Sequence, residues 1–170
     1  MEIVRLAREH EAALRDFLAD FSVSGEGEIP AYFADPDASH AELVDAFAKQ
    51  SRGEGLPEGW VPGTTYFLVD DGRILGVANL RHRLTDFLRQ FGGHVGYSVR
   101  PSERGKGHAT RLLSEVKARA REMGIERLLV TCGTDNAASA RVIEKCGGVL
   151  EDQRYVEAAG KTVHRFWIDL

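Results

Sequence analysis

The stretch VRPSERGKGHATRLL, residues 99–113, places two glycines and a lysine between a strand-like segment and a helix-like segment. The strand-like segment, residues 92–100, ends at Pro101, and the helix-like segment, residues 109–123, carries apolar residues at helical spacing. Glycines just before a helix let a phosphate approach the free backbone N–H groups and the positive end of the helix dipole. The stretch therefore predicts a phosphate-binding site.

Three kinds of protein place glycines at such a helix start. A P-loop requires GxxxxGK followed by Ser or Thr, but Lys106 is followed by Gly107, and no glycine stands five residues before Gly105. The dinucleotide fingerprint GxGxxG requires a third glycine where the chain has Thr110, and it expects a parallel strand–helix–strand unit near the start of the fold. These departures exclude the P-loop and disfavour the dinucleotide fold.

The same stretch resembles the acyl-CoA-binding motif of the GNAT superfamily of N-acetyltransferases, Arg/Gln-x-x-Gly-x-Gly/Ala. Arg104, Gly107 and Ala109 stand at its three fixed positions. Downstream, DNAASARVIEKCGG (135–148) resembles the second signature of the superfamily, Asn-x-x-Ala/Ser followed by a helix that ends in Lys-x-Gly. The resemblance is good over residues 64–150, and the order of elements extends it to the whole chain.

Hydrophobic periodicity and turn residues predict the order β-α-α-β-β-β-α-β-α-β-β. Asp135 is the predicted N-cap of the last helix. Together with the resemblance, this order predicts the α/β GNAT acyl-CoA N-acyltransferase fold, with a central mixed, mostly antiparallel sheet of about seven strands flanked by about four helices. We expect a single GNAT acetyltransferase domain over residues 1–170.

Composition and charge narrow the class of protein. The chain has 170 residues and a formal net charge of −4, which disfavours nucleic acid as a partner. The two cysteines, Cys132 and Cys146, have neither CxxC nor zinc spacing, so we predict reduced, buried thiols and no metal site. Because the N-terminus lacks a signal peptide and no apolar run is long enough to cross a bilayer, we expect a cytoplasmic protein without a membrane partner. The resemblance implies a monomer or a homodimer.

The resemblance implies acetyl-CoA as the cosubstrate and suggests where it binds. The pyrophosphate would lie against Arg104, Gly105, Lys106, Gly107, His108 and Ala109. The pantetheine arm would pair, as an added strand, with the freed backbone of Tyr97, Ser98 and Val99, and the interior Gly96 marks a bulge, a close backbone approach or a packing accommodation. Asn136 matches a family asparagine that bonds the pantetheine, or it only caps its helix; Ser139 faces the same way one turn later.

The implied reaction is direct attack of an amine on the acetyl thioester. A lysine-like amine is neutral in only about one molecule in 2,500 at pH 7, so a group must take its proton. His94 is the predicted base, because many family members place a glutamate at the matching position and a histidine is mostly neutral at pH 7. The family tyrosine that protonates the departing thiolate is replaced by Ile143. The remaining candidates for this acid are Tyr155, Ser139, Tyr97 and water.

NLRHRL (79–84) is the polar cluster that we predict to contact the acceptor. Alternation places Asn79, Arg81 and Arg83 on one face and His82 on the other. Arg81 would bind an acceptor carboxylate and His82 would be a second base candidate, unless this end of the strand only reaches solvent.

An acid-rich segment is the second feature that bears on the acceptor. Residues 16–48 hold eight acids and no Lys or Arg, which predicts either an acidic rim for a cationic amine or solvated helix faces. Trp60 and Tyr32 would line the same cleft or fill the core.

The leading hypothesis is an acetyl-CoA-dependent N-acetyltransferase acting on a small-molecule or peptide amine. Two alternatives remain at this point. One is an acyl-CoA-binding regulatory module without turnover, and the other is transfer of a different acyl group or transfer to a hydroxyl acceptor.

Overall fold

A computed structural model describes residues 1–24 and 38–170, whose strands form one mixed sheet in the order β1-β2-β3-β4-β5-β7-β6. The strands are β1 (Glu2–Val4), β2 (Gly63–Asp70), β3 (Arg73–Arg81), β4 (Val95–Val99), β5 (Arg127–Gly133), β6 (Val149–Val156) and β7 (Lys161–Asp169). Every neighbouring pair is antiparallel except β4 and β5, which run parallel. The predicted seven-stranded, mostly antiparallel sheet is confirmed.

Five α-helices belong to the described residues. They are α1 (Glu11–Val23), α2 (His40–Arg52), α3 (Asp86–Gln90), α4 (His108–Glu122) and α5 (Ala137–Lys145). The four long ones match the prediction, and α3 is the single extra turn. The predicted cap of α5 is wrong by one residue, because Oδ1 of Asn136, not Asp135, accepts the N–H of Ser139 at 2.9 Å. None of these five helices is long and apolar enough to cross a membrane.

Two apolar layers cover the two faces of the sheet. On one face α4 and α5 pack against Ala78 and Leu80 of β3, and the other face packs against α1 and α2 through Val77. The aromatic side chains that fill this second layer are Phe17, Phe21, Phe47 and Phe67. Because side chains alternate along a strand, β3 directs Asn79 and Arg81 to the α1–α2 face.

Arg100, directly after β4, ties α1 to the sheet. Its side chain is only 2% exposed, and its Nη1 lies 2.7 Å from Oδ2 of Asp16 and 3.2 Å from the backbone oxygen of Ile74. Its Nε lies 3.3 Å from Oδ2 of Asp20, which also accepts hydrogen bonds from the N–H and hydroxyl of Ser102. This network holds α1 beside the loop that leads from β4 to α4.

Candidate active site

Strand β4 pairs along its length with β3 but meets β5 at one position. Five register pairs join β3 to β4, from Leu80–Val95 to Gly76–Val99. The single pair between β4 and β5 is Val95–Val130. From Gly96 onward, β4 therefore has no ladder partner on its β5 side in the part of the chain that the structure describes. An unpaired strand edge of this kind can bind an extended chain that carries amide groups.

The register also excludes one of the alternatives left open for Gly96. The pairing of β3 with β4 runs through Asn79–Gly96 without a shift, so Gly96 is not a bulge. Tyr97 pairs with Ala78 and packs on the α4–α5 face, whereas Ser98 pairs with Val77 on the α1–α2 face. The predicted pantetheine-binding residues thus present their side chains to both faces and share one free backbone edge.

Because β4 and β5 separate after Val95–Val130, a gap opens between them. His94 lies at the end of β4 where the two strands still meet. Its N–H donates to the carbonyl oxygen of Leu129 at 2.7 Å, and its Nδ1 accepts the N–H of Leu129 at 2.9 Å. Its own carbonyl oxygen accepts the N–H of Arg81 at 2.8 Å. The imidazole is buried and meets the ring of Trp167 edge-on, with centroids 6.5 Å apart. His94 therefore joins β4 to both of its neighbouring strands.

These contacts do not support the predicted role of His94 as general base. Burial lowers the pKa of His94 to about 4, and the charges of Arg89 and Arg81 act in the same direction. Because Nδ1 accepts a hydrogen bond, the neutral ring carries its proton on Nε2, and neither nitrogen offers a free lone pair. The structure instead gives His94 a structural role where the two strands diverge.

The glycine motif shapes an open, uncapped helix start. Gly105 and Gly107 have φ values of +78° and +87°, which favour glycine, and no described atom lies within 4 Å of where a Cβ would stand. Gly107 is the N-cap of α4 and provides no side-chain cap. The first helical hydrogen bond runs from the N–H of Arg111 to the oxygen of Gly107 at 3.0 Å, so the N–H groups of His108, Ala109 and Thr110 have no partner within the helix. This arrangement suits an anionic phosphate.

Glu103 contacts basic side chains in and near the motif. Its carboxylate lies 2.8 Å from Nζ of Lys106, 2.8 Å from Nη1 of Arg73 and 3.5 Å from Nε2 of His108. The hydrogen bond from Lys106 and that from Arg73 lower the pKa of Glu103. Arg104 donates through Nε to the carbonyl oxygen of Val99 at 3.2 Å, which attaches the loop to the end of β4. Lys106 is thus engaged by a carboxylate rather than held ready for a phosphate.

A hydroxyl pair links β4 to α5. The Tyr97 hydroxyl lies 2.7 Å from Oγ of Ser139, whose N–H is bound by Asn136. Burial raises the pKa of Tyr97 to about 12, although the hydrogen bond with Ser139 opposes the shift. A hydroxyl that holds its proton so firmly is poorly matched to a thiolate, since a thiol of ordinary pKa titrates near 8.5. Ile143, where the family has its tyrosine, is fully buried.

A cavity of about 760 Å³ lies on the α1–α2 side of the sheet, within the usual range for a small-molecule site. Two of the predicted acceptor residues, Asn79 and Arg81, line it, and the register partner of Asn79 is Gly96 on the unpaired edge of β4. Nδ2 of Asn79 donates to Oγ1 of Thr65 at 3.0 Å. Apolar lining comes from Phe47, Leu56, Trp60, Val61, Phe87 and Leu88. The cavity therefore reaches β3, one strand away from the gap between β4 and β5.

The third predicted acceptor residue, His82, lies elsewhere. It lines a second cavity, of about 510 Å³, together with Arg5 and Arg119, and its Nε2 is 2.9 Å from Oγ1 of Thr64. Burial and the nearby charge of Arg5 lower the pKa of His82. Strand alternation separates it from Asn79 and Arg81, so the geometry does not support His82 as a second base in the acceptor cavity.

Of the four described acids of the predicted rim, three are engaged in structural contacts, and the fourth, Asp45 in α2, does not line the cavity. Asp16 and Asp20 bind Arg100, and Glu42 forms a capping box with Ser39 at the start of α2. Trp60, predicted to line the acceptor cleft or to fill the core, lines the cavity of about 760 Å³. Tyr32 and four of the acids lie outside the described residues; the four are Glu26, Glu28, Asp35 and Asp37.

A family model described as the acetyltransferase (GNAT) family matches residues 28–148. The chain belongs to this family. The match includes β4, the glycine motif, β5 and α5. A search of curated proteins found no match.

Solved structures give this GNAT acetyltransferase the same fold at low identity. A GNAT-family acetyltransferase from Streptococcus pneumoniae is 23% identical, with a TM-score of 0.66 and 99% of each chain covered. Salmonella typhimurium yncA with its cofactor acetyl-CoA is 21% identical, with a TM-score of 0.63, 99% of this chain and 93% of that chain covered. A mutant spermidine N-acetyltransferase from Vibrio cholerae is 15% identical, with a TM-score of 0.65, 99% of this chain and 95% of that chain covered.

Proposed function

We propose that the protein transfers the acetyl group of acetyl-CoA to a primary amine by direct attack on the thioester. The observation that carries the proposal is the gap that opens between β4 and β5 after Val95–Val130, beside the uncapped start of α4. The pyrophosphate would lie at residues 104–109 and the pantetheine along Tyr97, Ser98 and Val99. The acetyl-CoA named as the cofactor of the structural neighbour from Salmonella typhimurium supports this assignment.

The chain's own groups account for binding and for charge stabilisation. Backbone N–H groups on the free edge of β4 would hold the thioester oxygen as negative charge builds on it. Asn136, whose Oδ1 caps α5, keeps its amide nitrogen for a carbonyl of the pantetheine. In the transfer, a bond forms between the amine nitrogen and the carbonyl carbon, the C–S bond breaks, and CoA leaves as its thiolate.

The fate of the amine proton follows from the cavity lining. The one carboxylate among the described lining residues is Glu54, and Arg52 binds it through Nε at 2.6 Å and Nη2 at 2.8 Å. With His94 also engaged, we infer that the proton leaves to water. The partly buried Tyr97 hydroxyl remains protonated and positions α5 through Ser139, and water protonates the thiolate.

Two measurements on the 170-residue chain test the proposal. Calorimetry reports whether acetyl-CoA binds, and a thiol-release assay with a panel of amines and alcohols reports whether acetyl is transferred. Release with at least one amine is the expected result. Binding without release from any amine would favour a regulatory module, release with alcohols alone would favour a hydroxyl acceptor, and failure to bind acetyl-CoA would overturn the assignment of the glycine motif.

A further inference from the structure

We propose that the acceptor is an α-amino group next to an apolar or aromatic side chain, and not a polyamine. Such a group occurs in a hydrophobic amino-acid amide and at the N-terminus of a peptide, and both share the chemistry that the cavity would recognise. The inference rests on the proposed function and concerns the cavity of about 760 Å³ that is lined by Asn79, the register partner of Gly96.

Aromatic side chains on the wall of the cavity are unusually exposed. Trp60, in the loop after α2, is 52% exposed, and Phe87, in α3, is 48% exposed; both line the same cavity. Deeper in the wall, Phe47 belongs to the buried layer between α2 and the sheet. Large exposed apolar surface that converges on one concave site is typical of ligand binding, because the ligand removes it from water. The acceptor is therefore expected to bring an apolar body.

The charges at the cavity disfavour a polycation. Glu54 is already bound by two nitrogens of Arg52, and this hydrogen bonding lowers the pKa of Glu54. The carboxylate is therefore ionised, and its negative charge is balanced by the guanidinium of Arg52. The cations on the wall are Lys49, which has no ion-pair partner among the described residues, and Arg81, which donates to the carbonyl oxygens of Gly92 and Gly93 at 3.0 and 3.1 Å. A polyamine would place its second ammonium group against these cations.

The inner wall suits a single amine. Nδ2 of Asn79 is used by Thr65, which leaves Oδ1 to accept a hydrogen bond from an amine nitrogen. Asn79 lies directly opposite Gly96 on the same face of the sheet, and Gly96 carries no side chain there, so an amine held at Asn79 would lie one strand away from the edge of β4 where the thioester is proposed to lie. Arg81, two residues further along β3, lines the same cavity on the same face of the strand.

The proton argument points to the same class. An α-amino group has a pKa of roughly 7.7–8.0, so about one molecule in ten is neutral at pH 7, whereas about one lysine-like amine in 2,500 is neutral. An acceptor of the first kind needs no dedicated base. This agrees with the commitment of Nδ1 of His94, the acceptor nitrogen of the neutral ring, to the strand junction.

The test is an amine panel with the purified chain and acetyl-CoA. We expect kcat/KM for phenylalaninamide to exceed that for glycinamide by about tenfold or more, the gain expected from burying one large apolar side chain. Spermidine and Nα-acetyl-lysinamide are expected to fall below both. A peptide that begins with phenylalanine, compared with phenylalaninamide, distinguishes a peptide N-terminus from a small molecule as the source. If spermidine is the better substrate, this inference is overturned while the proposed function stands; if no amine releases thiol, the proposed function itself fails.

Matched variants connect the preference to the cavity. Trp60→Ala and Phe87→Ala are each expected to lower the ratio of kcat/KM for phenylalaninamide to that for glycinamide by roughly fivefold to tenfold, since each removes apolar contact area. Val149→Ala is the control, because Val149 is 70% exposed on β6 and does not line the cavity. Melting temperatures exclude loss of folding as the cause. If the ratio is unchanged in both aromatic variants, the cavity does not select the acceptor.

Discussion

Nδ1 of His94 accepts the backbone N–H of Leu129 at 2.9 Å, so a side-chain atom substitutes for a carbonyl in the ladder between β4 and β5. The same two residues are joined a second time by the N–H of His94 and the oxygen of Leu129 at 2.7 Å. Beyond this junction the strands share one register pair, Val95–Val130. The junction thus sets where the proposed acetyl-CoA site begins.

Replacement of His94 separates a structural role from a basic one. In His94→Asn, the amide oxygen stands near the position of Nδ1 and can keep the hydrogen bond to Leu129, so we expect folding and most of the activity to remain. His94→Ala leaves the buried N–H of Leu129 unpaired and is expected to cost about 1–3 kcal/mol in the free energy of unfolding. Urea unfolding and kcat measure the two effects. A fully folded but inactive His94→Asn protein would return the histidine to the list of base candidates.

The pH dependence of stability follows from the same residue. The pKa of His94 is about 4 in the folded chain and 6.5 in its ordinary state, so the unfolded chain binds a proton first as the pH falls. The stability contributed by neutral His94 is therefore complete above pH 6.5 and is lost progressively as the pH falls through 4. We expect the free energy of unfolding to fall more between pH 7 and pH 4.5 in the wild type than in His94→Asn. Equal losses would show that the buried histidine is not linked to folding.

Gly107→Glu tests the phosphate position. A glutamate there adds bulk and negative charge at the uncapped start of α4, and we expect the Kd for CoA to rise by roughly a hundredfold, or about 2.7 kcal/mol. Gly160→Glu is the matched control, because Gly160 also has a left-handed φ, of +60°, and open space around it, but lies in the turn before β7. Calorimetry gives both constants. An equal rise in the two variants would point to backbone strain and not to the phosphate.

Glu103→Gln tests whether the ion pair with Lys106 limits CoA binding. Loss of the carboxylate charge frees Lys106 and removes a negative group from the motif, so CoA is expected to bind about twofold to fivefold more tightly, the range of an exposed ion pair. The gain is expected to shrink at high salt. Glu122→Gln, which removes a carboxylate paired with Arg119 near the other end of α4, is expected to leave the Kd unchanged. Weaker CoA binding in Glu103→Gln would show that Glu103 positions the loop.

Arg100→Met tests the tie between α1 and the sheet. The change leaves Asp20 without its buried partner, and we expect a loss of about 2–4 kcal/mol, between the values for exposed and buried ion pairs because Asp16 is largely exposed. Arg73→Met is the comparison, since Arg73 is 46% exposed, lies 3.8 Å from Asp16, and should cost about 1 kcal/mol or less. Urea unfolding gives both numbers. Similar losses in the two variants would contradict a special role for the buried arginine.

The contribution of Asp20 to the stability of this network is expected to fall at low pH. Burial alone would raise the pKa of Asp20. The hydrogen bonds from Ser102 and the contact with Arg100 outweigh burial and hold this pKa below its ordinary 3.8. Its contribution is therefore present above pH 3.8 and is lost as the pH falls through the lower value in the folded chain. An asparagine at position 20 does not titrate, so the free energy of unfolding of Asp20→Asn is expected to fall less between pH 6 and pH 3 than that of the wild type. A variant with an unchanged difference would show that Asp20 is not linked to folding.

Local patterns were sufficient for the order of the elements and for the glycine motif. Apolar spacing places α4 within one residue of its observed bounds, and the left-handed backbone at Gly105 and Gly107 depends on glycine itself. Alternation along β3 also separates His82 from Asn79 and Arg81, as predicted. The error in the cap of α5 is local too, because Asp135 and Asn136 are both good caps and only the backbone path selects one.

The sequence by itself determined the family motif, the seven strands and the glycine-dependent start of α4, because these depend on neighbours within one helix turn or one strand. The tertiary structure alone decided which polar groups are already engaged. His94 meets a residue 35 positions away, and Asp16 meets Arg100 across 84 positions, so a predicted base and part of a predicted acidic rim became structural contacts. The acceptor cavity is also a product of packing, since α2, the loop with Trp60, β3 and α3 converge there from separate parts of the chain.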